Sequence, residues 1–169
     1  MQRSPLDLRH YHFNRFELQV RGDRRGPQTS SNSGQYPSFD EVDYSANVQV
    51  SAPPDQTSPF QFALKLALVC QPKSPETQFP YTFNVEAEGF FQVQAEDEDK
   101  GRKLLLANGT AVLYGAIREQ LLTFSSRFSQ GPMLLPTVNF LNLLPKTKAE
   151  ETVPPLATSK RKRKKSTEG

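Results

Sequence analysis

Few residues in this chain have the type and spacing to do covalent or metal chemistry. His10 and His12 stand two apart, which on a strand puts both rings on one face. A metal centre needs three or four ligands, and the single cysteine, Cys70, is far away in sequence, so no metal is expected. One cysteine also rules out an intramolecular disulfide and fits a reducing compartment. There is no Gly-rich phosphate loop, no Ser or Cys in a nucleophile signature and no recognisable carboxylate pair, so no enzyme activity and no cofactor are expected. Arg21-Gly22-Asp23 carries no weight in a chain without a secretion signal. The acidic run Glu96-Asp97-Glu98-Asp99 reads as a solvated loop. What remains is binding chemistry, carried by charge at one end and apolar side chains in the middle.

The charge is segregated. The formal net charge is +3, yet Lys160, Arg161, Lys162, Arg163, Lys164 and Lys165 are consecutive cations. Through residue 159 there are 15 Lys and Arg against 17 Asp and Glu, so the body is slightly acidic. The basicity belongs to a tail and has two readings. One is a solubilising segment without fixed structure. The other is weak, salt-sensitive contact with nucleic acid, ribosomes or an acidic membrane surface through counterion release. Such contact would carry no base specificity, because base readout needs an ordered element in a groove.

The elements that must position any site alternate at first with a period of two. Phe16, Leu18 and Val20 alternate with polar neighbours in a strand over 11–20. Residues 21–38 are rich in Gly, Pro, Ser, Asn and Gln and are expected to form a long flexible loop. Val42, Tyr44, Ala46, Val48 and Val50 share one side of a second strand. Phe60, Phe62, Leu64, Leu66 and Leu68 share one side of a third. Tyr81, Phe83, Val85, Ala87, Phe91 and Val93 define a fourth, in which Gly89 suggests a bulge or bend. Short connections between one-sided strands imply an antiparallel sheet with one wet face.

The period then changes. Leu113, Ile117, Leu121, Phe124 and Phe128 are spaced four, four, three and four apart, which is one face of an α-helix. The helix is expected to start between Arg102 and Thr110, with a break or kink at Asn108-Gly109, and to stop at Gly131-Pro132. Pro132–Phe140 is an apolar extended segment, since its prolines disfavour helix. Residues 141–144 add at most one turn before Pro145. The predicted class is α+β: a four-stranded antiparallel sheet packed with one long C-terminal amphipathic helix. The predicted divisions are an N-terminal tail over 1–9, a folded domain over 10–144 and a disordered basic tail over 145–169. No apolar run reaches membrane-spanning length, and Met1–Arg9 lacks a signal-peptide core, so the chain reads as cytoplasmic.

Two segments resemble the SecB family of export chaperones. Leu113-Tyr114-Gly115-Ala116-Ile117-Arg118-Glu119 is similar to that family's helix signature, an aliphatic-aromatic-small run closed by Arg-Glu. Gly131-Pro132-Met133-Leu134-Leu135-Pro136-Thr137-Val138-Asn139-Phe140 resembles its loop, in which Leu-Pro leads into Val-Asn-Phe. With the strand order and Glu88-Gly89-Phe90-Phe91, the resemblance spans about residues 10–144. It implies a homotetramer, a dimer of dimers, whose helices pack between sheets. It also implies a chaperone that holds unfolded polypeptides, preproteins among them, in apolar grooves without ATP. By position, Met133, Leu134, Leu135, Val138 and Phe140 would line or support the peptide groove. Most of the helix stripe reads as core against the sheet, and part of it, Leu113, Ile117, Leu121 and Phe124, would serve an oligomer interface. The acidic positions through which the family docks the export motor fall at or near Arg15, Gln19 and Asn84, none of them acidic. That departure and the basic tail favour either a holdase not dedicated to export or a chaperone of one partner, such as an antitoxin. A nucleic-acid-associated binding protein acting through the tail is the third reading.

Overall fold

The computed structural model describes residues 4–22, 36–53 and 57–143. Four antiparallel strands, β1 (Leu6–Val20), β2 (Val42–Ser51), β3 (Gln61–Pro72) and β4 (Tyr81–Val93), form one sheet in the order β1-β4-β3-β2. β1 and β2 are successive in sequence but stand at opposite edges.

One continuous helical rod follows. It comprises α1 (Glu98–Leu104), a π-helical turn (Leu105–Gly109) and α2 (Thr110–Ser125), 28 residues in all. A 3-10 turn, Phe140–Leu143, ends the described chain. The α+β architecture expected from the patterning is thus present, and the single turn before Pro145 is where the proline placed it. The basic tail and most of the long loop, residues 23–35, lie outside the described residues.

β1 is longer than its alternation indicated. It starts at Leu6, and the Gln94 N–H donates to the Pro5 carbonyl at 2.7 Å, so residues 6–9 belong to the sheet and not to a tail. The reason lies in two bulges, between Leu8 and His10 and between Phe13 and Arg15. Each inserts one residue against β4 and flips which parity faces inward. The inward set is Leu6 and Leu8, then Tyr11 and Phe13, then Phe16, Leu18 and Val20. A strict period of two fails twice along such a strand.

Gly89 has a different role from the one its position suggested. It pairs in register with Tyr11 and Leu64, without a bulge in β4. A Cβ there would come within 2.8 Å of the Phe91 ring and 2.9 Å of Leu113 on α2. Gly89 is therefore the point at which the helix is admitted close to the sheet.

The helix begins at Glu98, earlier than its apolar stripe indicated, because its first turn is acidic and carries no stripe residue. Asp97 caps it: Oδ1 accepts the Lys100 N–H at 2.7 Å. The acidic run is thus a helix start, where negative charge meets the positive end of the helix dipole. Asn108-Gly109 does not end the helix but sits in the π turn that interrupts the α-helical hydrogen bonding between α1 and α2. Gly131, at φ +82°, turns the chain back after α2.

At the sheet's far end, the Arg21 guanidinium donates to the carbonyls of Thr77 (2.8 Å), Phe79 (3.2 Å) and Pro75 (2.8 Å). One side chain at the exit of β1 thereby ties down the β3–β4 connection.

Replacing Gly89 by Ala is expected to destabilise the fold by about 1–3 kcal/mol, the usual cost of overpacking a filled core. Denaturant unfolding measures this, and an unchanged midpoint would mean that Phe91 and Leu113 move aside freely.

Candidate functional site

The site to be tested is the apolar ground around the helix: its stripe, the segment after it, and the sheet face on either side. The structure divides the predicted residues sharply. Leu113, Ile117 and Leu121 are fully buried against the sheet of their own protomer, together with Leu105. They are core within this chain. Of the four residues expected at an oligomer interface, only Phe124 reaches the surface, at 41% exposed. The stripe passes from Leu121 to the buried Ser125, and Phe124 falls to its flank.

The segment after the helix is likewise half core. Met133 and Leu135 are fully buried, Phe140 is nearly so, Leu134 is half-buried, and Val138 is exposed. Ser125 anchors its start: Oγ accepts the Met133 N–H at 2.8 Å while its hydroxyl donates to the Leu122 carbonyl. The Tyr81 hydroxyl donates to the Gly131 carbonyl. The Tyr114 hydroxyl donates to the Pro136 carbonyl at 2.5 Å, and its ring lies 5.3 Å from Phe140. Met133, Leu135 and Phe140 therefore belong to the core. Only Leu134 and Val138 of the five are placed to meet another molecule.

The segment covers the β2 side of the helix, where Tyr114 stands beside Tyr44 of β2. Nothing among the described residues covers the β1 side in the same way. There, the inward residues of β1 are only half-buried, and Tyr11 is 43% exposed. Their rings run in a chain, Tyr11 to Phe13 at 6.0 Å, Phe13 to Phe16 at 5.6 Å, and Phe16 to Phe124 of α2 at 5.2 Å. Leu18 and Val20 extend the row, and Phe128, 6.3 Å from Tyr81, is also exposed. Sequence reasoning missed Tyr11 and Phe13, because the bulges hide that they share a face with Phe16.

The outer face of the sheet is polar. The Asn14 amide donates to Glu86 (3.1 Å) and Glu88 (3.2 Å), and Lys65 lies 3.3 Å from Glu86. Asn14's hydrogen bond, followed by Lys65, holds the Glu86 carboxyl below its ordinary range. His10 and His12 do share this face, stacked on Phe90 with ring centroids at 4.4 and 6.0 Å. Among the described residues, no group of three or more His, Cys, Asp or Glu side chains is placed to hold a metal. Arg15 and Asn84 lie on this face too, and so does Gln19, opposite Thr82. Among the described residues no helix is long and apolar enough to cross a membrane.

Cys70 faces the core and is fully buried. Burial, then the nearby Asp43 carboxylate, pushes its thiol up to about 12, so the thiolate that reacts is suppressed.

No family model matches the chain. The uncharacterized protein MJ0357 of Methanocaldococcus jannaschii is 24% identical over 105 residues, 62% of this chain and 68% of that one. Among solved structures the chain is similar to the SecB-like chaperone Rv1957 of Mycobacterium tuberculosis, in complex with a ChAD peptide from the Rv1956 HigA1 antitoxin. The TM-score is 0.49, with 17% identity and coverage of 79% of this chain and 91% of that one. It is also similar to a protein of unknown function from Streptococcus agalactiae, at TM-score 0.45 and 9% identity over 78% and 97% of the two chains.

Two outcomes follow from the burial. Leu135→Ser is expected to cost on the order of 2–5 kcal/mol, like other core truncations, whereas Val138→Ser stays within about 0.5 kcal/mol. Equal midpoints in denaturant would contradict the assignment of Leu135 to the core. Cys70 is expected to resist thiol reagents between about pH 8 and 10 until the protein unfolds. Rapid labelling of the native protein would contradict its burial.

Proposed function

We propose that this protein is a non-enzymatic chaperone that holds extended, unfolded polypeptide segments without ATP. The observation that carries the reading is the open aromatic row of Tyr11, Phe13, Phe16 and Phe124 along an edge strand, beside a helix. A holdase must accept many sequences. It therefore needs apolar surface and an unpaired strand edge more than one shaped pocket. Aromatic rings suit this role, since they bury much area while losing little side-chain freedom. The resemblance of Leu113–Glu119 and Gly131–Phe140 to the SecB helix and loop supports the same reading. Export is not part of the proposal, because Arg15, Gln19 and Asn84 stand where the family's acidic docking residues fall.

The test dilutes a chemically denatured client into buffer with rising amounts of the protein and no nucleotide, and follows light scattering. The native mass is measured alongside. Suppression near stoichiometric ratio is the expected result. Tyr11→Ser combined with Phe124→Ser is expected to weaken suppression several-fold while moving Tm by only a few degrees, since both side chains lie at the surface and outside the core. Full suppression by that double variant would remove the aromatic row from client binding. A change of mass with suppression intact would make the row a subunit contact. Suppression confined to one client would favour a chaperone dedicated to a single partner.

A further inference from the structure

The start of the helical rod borders a hollow of about 470 Å³ that the proposed function does not use. It lies between the β2–β3 connection, the start of β3 and α1, and its lining includes Pro59, Gln61, Phe62, Glu98 and Arg102. Phe62 and Pro59 supply apolar surface. The Gln61 side-chain oxygen accepts the Thr57 N–H at 2.8 Å and the Thr57 hydroxyl at 3.1 Å, which leaves the amide NH2 to donate.

Two opposite charges stand at this apolar surface without meeting. Glu98 and Arg102 are four residues apart with the acid first, the order in which such a pair bonds best on a helix. Yet both point to the hollow, and neither forms an ion pair or a side-chain hydrogen bond among the described residues. Lys100, on the same turns, is paired with Glu96 and Asp97.

The backbone arranges this placement. Glu98, Gly101, Arg102 and Leu105 share one side of the rod, the side turned to the sheet. Leu105 is fully buried there, and a Cβ on Gly101 would meet Phe62 at 3.6 Å and Phe60 at 3.7 Å. Gly101 thus keeps the space between the two charged side chains open. The π turn sets the orientation. It takes one residue more than an α turn, so it rotates α1 by about 100° against α2 relative to an unbroken helix. An unbroken helix would turn Gly101 away from Phe62. The irregularity has a cost, since Thr110 beside it is fully buried with its hydroxyl unpartnered.

We propose that this hollow binds a small zwitterion with an apolar side chain, an amino acid or a short peptide, with its carboxylate on Arg102 and its ammonium on Glu98. The charges decide the class. A lone anion on Arg102 would meet repulsion from Glu98, and a lone cation on Glu98 would meet it from Arg102, whereas a ligand bearing both signs satisfies both. The guanidinium fork matches the two carboxylate oxygens, and the Gln61 amide adds a donor. The ligand's side chain leaves water against Phe62 and Pro59. The volume is in the range of small-molecule sites. Phe124 lies 26 residues further along the rod, roughly 40 Å away, so the site stands independently of the chaperone reading.

The experiment is calorimetric titration of the full-length protein with phenylalanine and with the dipeptide Phe-Leu. The controls are N-acetylphenylalanine, phenylalanine amide and glycine, which lack the ammonium, the carboxylate and the apolar side chain. At least one of the two zwitterions is expected to bind with a Kd on the order of 1 mM or tighter, and each control about tenfold more weakly. The tighter of the two identifies the source as free amino acid or peptide. Arg102→Gln is expected to bind phenylalanine and its amide equally, and Glu98→Gln to bind phenylalanine and its N-acetyl form equally. Thermal unfolding verifies that both surface variants fold. Both are also expected to suppress client aggregation as the native protein does. Equal binding of the blocked forms to the native protein would overturn the proposal by reducing the hollow to an apolar surface. Heat absent for every ligand up to about 10 mM would overturn it as well, and would leave the chaperone reading untouched.

Discussion

A single helix is narrower than the sheet it must cover. Four strands span roughly 14 Å between their outermost axes, and a helix with its side chains is about 10–12 Å across. The 28-residue rod lies over β3 and β4, whose inward residues are fully or almost fully buried. Gly89 brings it in close by leaving room for Leu113. The inner face of β2 and most of that of β1, which the π turn reaches, are left to be covered by something else. The rest of the molecule follows from how that shortfall is met on each side.

On the β2 side the chain meets it with its own residues. After α2 it turns at Gly131, and Pro132–Phe140 returns along the helix, pinned by Ser125, Tyr81 and Tyr114. Met133, Leu135 and Phe140 enter the core, while Phe39 packs 4.8 Å from Phe79 nearby. This cover brings polar atoms with it, among them the buried Tyr114 hydroxyl, which donates to the Pro136 carbonyl. On the β1 side no such segment exists among the described residues, and aromatic rings stand half in water. Bulges in β1 add to the local twist, which makes indiscriminate edge-to-edge pairing less favourable.

Much of this was legible in the residues. Inward positions in β2, β3 and β4 follow strict alternation, because straight ladders in register hold the period at two. The helix stripe and the proline-bounded segment were visible for the same reason, since local geometry alone sets them. The candidate site was legible only in part. Tyr11 and Phe13 were hidden by the bulges, and Tyr44 and Tyr114 come together across 70 residues of chain. Leu113, Ile117 and Leu121 were visible as apolar, but an apolar residue can be buried by its own sheet or by another subunit.

The sequence by itself determined the element types and their order, because these depend on local periodicity, capping and turn chemistry. It placed the positive charge in a tail and the apolar mass in the body. Only the tertiary structure decided the strand order β1-β4-β3-β2, the role of Gly89 and the division of the helix stripe into core and surface. Those are properties of which surfaces meet at long range, and burial belongs to the pair of surfaces and not to either residue alone.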